Sequence, residues 1–203
     1  MAKTDFKKTL RHLYAPSSKD FSIVDVPQMQ FLRIDGEGAP ESEAYTTAIG
    51  WLYGVAYPVK FASKLQLDKD YTVMPLEGLW WAEDFSAFTE GDRDAWKWTA
   101  MIMQPDWITD EILDGAVEKA SGKLGEPPAS LRLEPFTERL SVQIMHIGPY
   151  SAEAPTIARL HREFIPENGL TENGHHHELY LGDPRRTAPE RLKTVLRQPV
   201  RRV

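Results

Sequence analysis

The sequence predicts an α+β fold made of two similar halves, and three observations predict it. An order of strand, helix and two-stranded hairpin occurs twice along the chain. A Gly125-Glu-Pro-Pro128 stretch separates the two occurrences and reads as a linker. Each half also sets a glutamate beside aromatic residues in the strand after its helix, Glu77-Gly-Leu-Trp-Trp in one and Glu178-Leu-Tyr in the other. The halves span 21–125 and 130–203, behind an N-terminal extension of residues 1–20. A half that cannot bury its own sheet face pairs with its twin, and the groove between twins is the natural ligand site.

The extension is basic and polar and is expected to fray or lie along the surface. From Phe21 to Asp35 the residues alternate as in a strand, with Phe31, Arg33 and Asp35 on one face and Leu32 and Ile34 on the other. Asp35-Gly-Glu-Gly-Ala-Pro stops it. From Glu43 the apolar residues Ala44, Tyr45, Ala48, Ile49, Leu52, Tyr53 and Ala56 recur at helical period. Pro58 cannot donate to the helical ladder, so the helix is expected to end or kink near Tyr57. Gly50 and Gly54, four residues apart on another side, are expected to let it lie close to a sheet.

Tyr71–Ala82 and Trp96–Gln104 are aromatic-rich runs around a polar turn at Glu90-Gly-Asp-Arg93, a hairpin with a long loop. Thr109 suits the N-cap of a helix over Asp110–Lys123, striped by Ile112, Leu113, Ala116, Val117 and Ala120. In the second half, Leu131–Phe136 and Leu140–Ile147 read as strands around the turn Thr137-Glu-Arg139. A helix follows over about 152–167, ended by Asn168-Gly169. His175–Leu181 and Lys193–Arg197 complete the strands. Thr187-Ala-Pro-Glu190 has capping-box spacing and opens a short helical turn.

Composition narrows the function. With 24 Lys plus Arg against 30 Asp plus Glu, the 203-residue chain carries a formal charge of −6, which speaks against nucleic acid as the main partner. There is no cysteine, so disulfides, thiol nucleophiles and Cys-built metal sites are excluded. The N-terminus has no apolar signal-peptide core, and no apolar run reaches the roughly 18 residues that cross a bilayer. A soluble, cytoplasmic protein without a membrane partner is the expectation. Phosphate-binding glycine loops, a Gly-x-Ser-x-Gly elbow and dinucleotide fingerprints are all missing from the sequence.

Four stretches bring in a family. His146-Ile-Gly-Pro-Tyr150 followed by a helix and Glu178-Leu-Tyr-Leu-Gly-Asp-Pro184 resembles the GyrI-like small-molecule-binding family, which is similar to effector-binding domains of multidrug-sensing regulators. Met74-Pro-Leu-Glu-Gly-Leu-Trp-Trp81 and Asp183–Pro199 look like the cyclopropanoid cyclopropyl hydrolase subgroup. The resemblance covers nearly everything after residue 20. It implies two pseudo-symmetric βαββ units forming one curved antiparallel sheet, with helices on the outer face and a central ligand cleft. It also implies a planar, lipophilic, often cationic ligand, held in an aromatic cage where the subgroup hydrolyses the cyclopropane of spirocyclopropyl-dienone alkylating agents. No DNA-binding helix-turn-helix is evident before residue 20, so the chain looks like the binding unit alone.

Strand alternation puts Glu77, Leu79 and Trp81 on one face and Gly78 and Trp80 on the other; His176, Glu178 and Tyr180 share a face in the second half. A carboxylate walled by rings attracts cations, burial raises its pKa toward that of a general base, and flat ligands stack on Trp and Tyr. The catalytic candidates are therefore Glu178, or Glu77 across the pseudo-dyad, as base toward water, and Tyr180 as a hydrogen-bond donor to the carbonyl oxygen where phenolate charge develops. Trp80, Trp81, Trp98, Tyr150, Met145 and Tyr53 are the substrate-binding candidates. No metal site and no cofactor is expected: His175–His177 reads as a solvent-exposed strand start, His146 as a strand histidine with its hydrogen bonds satisfied, and Arg185, Arg186, Arg191 and Arg197–Arg202 as a solvated or subunit-contact face. The alternatives are a non-catalytic protein that sequesters planar cations and a protein-interaction module such as a topoisomerase inhibitor.

Overall fold

The computed structural model describes residues 3–83 and 93–203, so the Glu90–Asp92 part of the expected hairpin turn lies outside the described residues. The α+β class holds, with antiparallel strand pairing and helices packed on the sheets. The chain folds as two units, one formed by its first six residues with Met29–Phe136, the other by Lys7–Gln28 with Thr137–Val203.

The extension does not fray. It forms two short helices, α1 (Phe6–Thr9) and α2 (Arg11–Tyr14), and buries Leu13 and Tyr14. Leu13 and Tyr14, in a largely polar stretch, outweigh the local composition once they find a core. The expected single strand over 21–35 is two strands, β1 (Ser22–Val26) and β2 (Met29–Glu37), because Pro27 between them cannot donate to a ladder.

In the first unit β2 leads into α3 (Glu43–Gln66), capped by Ser42, whose hydroxyl accepts the Tyr45 N–H at 3.2 Å. The helix does not stop at Pro58. Val59 and Ser63 continue the buried face set by Leu52, Val55 and Ala56, and that burial outweighs one missing hydrogen bond. Then follow β3 (Leu76–Trp81), β4 (Lys97–Gln104), α4 (Asp110–Leu124) and β5 (Arg132–Phe136), with sheet order β3-β4-β2-β5. Gly54 serves helix packing rather than helix-on-sheet packing: a Cβ there would lie 2.7 Å from the Leu124 side chain of α4.

The second unit repeats the order. β6 (Arg139–Ile147) leads through a 3-10 turn (Tyr150–Ala152) into α5 (Ala154–Arg159), a π turn (Leu160–Phe164) and α6 (Ile165–Glu167). Next come β7 (Leu170–Glu172), which the sequence did not announce, β8 (His176–Tyr180) and β9 (Lys193–Arg202), longer than expected. The sheet order is β8-β9-β6-β1, with β7 also on β9. The two orders match element for element. Their outermost strands are exchanged, however: β1 precedes β2 in the chain but pairs with β6, and β5 precedes β6 but pairs with β2. The expected pairing around Thr137–Arg139 is therefore not formed.

Two further expectations change. Arg197 is not on a solvated face but fully buried, its guanidinium donating to Gln143 Oε1 (3.0 Å), Glu138 Oε2 (3.0 Å) and the Leu13 carbonyl (2.9 Å). His177 is equally buried, with Nδ1 2.9 Å from Glu138 Oε1. Together with Gln143, which donates to the His12 carbonyl at 2.6 Å, this group fastens α2 to the second sheet. Arg185 and Arg186 are exposed, as expected of a solvated face.

Candidate functional site

Register decides which side chains share a face. In the second unit Tyr180 stands opposite Thr194, and Thr194 opposite His146 on the next strand; Glu178 stands opposite Leu196, and Leu196 opposite Ile144. Directly paired residues project to one side, so His146, Thr194, Glu178 and Tyr180 occupy a single face, with His176 two residues from Glu178. Val142 and Val200 belong to that face too, and both pack in one core cluster with Leu160, Ile165 and Leu170. The helical segment after β6 therefore covers the Glu178 face.

That segment supplies the rest of the site. Tyr150 and Tyr180 meet edge to face, with ring centroids 5.7 Å apart at 78°. Tyr150 remains 39 % exposed, so the aromatic pair is the open side. Glu153, at the start of α5, is buried beside Glu178. Burial, then the negative charge of Glu178, push its carboxyl up to about 8, against the pull of the Thr194 hydroxyl. Glu153 is thus mostly a neutral acid at pH 7 beside a carboxylate. His176 Nε2 lies 3.5 Å from Glu178 Oε1, and both side chains are about one-sixth exposed. His161 packs against His176 at a ring-centroid distance of 6.2 Å and binds Glu172, holding that carboxyl below its ordinary range.

Three polar atoms here are buried without a hydrogen bond of good geometry: Glu153 Oε1, Thr194 Oγ1 and His176 Nδ1. Buried polar groups are nearly always satisfied, so such a concentration marks a place where water or a polar ligand completes the set. Glu153 had escaped the sequence reading. Its signal was present in Gly148-Pro-Tyr-Ser-Ala-Glu153, an acid at a helix start, but that position is also ordinary for a glutamate favoured by the helix dipole. Only burial distinguishes the two roles.

The other expected site residues fall elsewhere. Met145 pairs with Val195, which pairs with Leu179, so it lies on the opposite face of the second sheet. In the first unit Trp80 and Trp98 are cross-strand partners in the core under α3, with Tyr45 at 5.1 and 4.9 Å from their rings. Trp98 runs beneath Gly36, where a Cβ would come within 2.3 Å of the indole. Glu77, fully buried, and the half-buried Trp81 share the face of the first sheet that α3 leaves uncovered. The expected pseudo-dyad match is therefore broken, since Glu178 faces its own unit's helices and Glu77 does not. Tyr53 points into a groove between α3 and α4. Among the described residues no group of three or more His, Asp or Glu could hold a metal ion, and no helix is long and apolar enough to cross a membrane.

Known proteins agree with this architecture. A protein from Listeria innocua of uncharacterised function has a similar structure, with TM-score 0.90 and 43% identity over 98% of this chain and 100% of its own. A hydrolase from Listeria innocua matches with TM-score 0.84 and 40% identity over the same shares. The C-terminal domain of EcmrR shares the fold, with TM-score 0.60 and 12% identity over 91% of this chain and 98% of its own. No match is found among proteins with curated functions. The model of the GyrI-like small molecule binding domain covers residues 19–201, and the chain belongs to that family.

Proposed function

We propose that this protein binds planar, lipophilic xenobiotics and hydrolyses the cyclopropane of cyclopropanoid alkylating agents by adding water. The observation that carries the reading is the pairing of a neutral buried acid, Glu153, with the carboxylate of Glu178 beside the Tyr150–Tyr180 rings. The 40% identity to a hydrolase supports a catalytic role. The resemblance of Met74–Trp81 and Asp183–Pro199 to the cyclopropyl hydrolase subgroup supports the substrate class.

In this reading the ligand's ring system rests against Tyr150 and Tyr180. Water is held among Glu153 Oε1, Thr194 Oγ1 and His176 Nδ1, which make no hydrogen bond of good geometry within the protein. Glu178 takes a proton from that water as its oxygen attacks the strained cyclopropyl carbon. The carbon–carbon bond breaks, its electron pair passes through the dienone, and phenolate charge develops at the former carbonyl oxygen, to which Tyr180 donates a hydrogen bond. The phenolate takes up a proton and Glu178 loses one, so the product equals substrate plus one water. Glu153 stays protonated throughout and keeps a second negative charge away from an electron-rich transition state.

Mass spectrometry of a spirocyclopropyl-dienone incubated with the protein tests this. A product heavier by one water is expected, with kcat lowered at least about a hundredfold in Glu178→Gln. Unchanged turnover in both Glu178→Gln and Glu77→Gln would remove the general base. Tight binding of an unaltered ligand would leave a sequestering protein.

A further inference from the structure

The groove between α3 and α4 belongs to the first unit and lies outside the acid site. It encloses about 310 Å³ and is lined by Gly50, Tyr53, Gly54, Tyr57 and Pro58 from one helix and by Lys119, Ala120, Lys123 and Leu124 from the other. Its floor is bare backbone at Gly50, where a Cβ would meet nothing within 4 Å. One end is closed by Leu124, which reaches over Gly54. The rings of Tyr53 and Tyr57 form a wall, with centroids 6.2 Å apart at 32°. Tyr57 and Leu124 are 51% and 45% exposed, so the groove presents apolar surface to solvent.

Its charge has one sign. Lys119 and Lys123, one turn apart on α4, are the ionisable ammonium groups of the lining, and no carboxylate lines it. Among the described residues neither lysine has an ion-pair partner. Two uncommitted ammonium groups beside an aromatic wall are unusual on a chain whose net charge is −6. The acid site in the second unit favours cations, whereas this groove favours the opposite charge.

We propose that the groove binds a planar aromatic monoanion, a carboxylate or sulfonate of about two fused rings. The rings lie on Gly50 and pack against Tyr53, Tyr57 and Leu124, and the acid group reaches Lys119 and Lys123. Ring area supplies the affinity and the ammonium groups fix orientation and sign.

The test uses the full chain, with 2-naphthoate as probe and 2-naphthylmethylammonium as its cationic counterpart, by calorimetry and by amide chemical shifts. Naphthoate should bind one to one and shift amides of residues 50–58 and 119–124, and the cation should not. Lys119→Gln with Lys123→Gln should weaken binding about tenfold. Gly50→Leu, which fills the floor at an exposed helical position, should abolish it, and Glu178→Gln should leave it intact. Equal affinity in the double lysine variant, equal binding of the cation, or shifts confined to other residues would overturn the proposal. None of these outcomes depends on whether the acid site is catalytic.

Discussion

At the scale of single residues, one carboxyl group controls the chemistry and leaves a signature in stability. Glu153 has an ordinary value of 4.5 when unfolded and about 8 when folded, so the native state holds its proton more tightly. Its contribution is complete below 4.5 and is lost as pH rises through about 8. Replacing Glu153 with Gln should remove that alkaline decline, giving melting temperatures closer to flat between pH 5 and pH 9, as thermal melts across that range would reveal. Gly36 offers a second residue-scale expectation. A Cβ 2.3 Å from the Trp98 indole has nowhere to go, so Gly36→Ala should cost about 1–3 kcal/mol in urea unfolding. The sequence made Trp98 a ligand-contact candidate because it is aromatic and sits in the right strand. Nothing in the sequence revealed that Gly36, its cross-strand partner, makes room for it in the core.

At the scale of elements, the periodic segments were legible and the joints between them were not. Both long helices follow their apolar stripes, and Thr109 and Ser42 stand where caps belong. Pro58 misleads because local hydrogen bonding carries no information about the core that Val59 and Ser63 reach. The strand exchange was invisible because β1 and β5 each look like the first arm of a hairpin with the strand that follows. Alternation cannot say which partner a strand takes, and a shift of one residue reverses every face. The same limit explains why Glu178 and Tyr180 were found together while Met145 was placed on their side of the sheet. The extension reads as a fraying or surface segment because its anchors lie far along the chain, at Gln143 and at Arg197, which Glu138 holds in place. Arg197→Met leaves Glu138 buried with one cation fewer and frees the end of α2. It should lower stability by about 3–5 kcal/mol and raise hydrogen exchange first in residues 11–14.

At the scale of the whole molecule, two buried glutamates of opposite sign set the pH range of the fold. Burial would raise the carboxyl of Glu138, but the charges of His177 and Arg197 outweigh it and hold it at about 2. Its stabilisation is present above the ordinary 4.5 and is lost as pH falls toward 2. Glu153 declines in the other direction, so the two together place greatest stability in mildly acidic solution, near pH 5. Melting temperature should fall on both sides of that value. Glu138→Gln should depress the whole curve and blunt its acid limb. Duplication of the strand, helix and hairpin order is readable from the sequence and survives in two units of the same strand order. Chemical equivalence of the halves does not survive, because the raised acid Glu153, its neighbour Glu178 and the Tyr150–Tyr180 pair all belong to the second unit.

The most direct test is the titration of the Glu153 side-chain carboxyl, followed by carbon NMR in selectively labelled protein. The acid-pair account predicts a midpoint near 8 in the native protein and a clearly lower one in Glu178→Gln. A midpoint at the ordinary 4.5, or one that ignores the loss of Glu178, would contradict it.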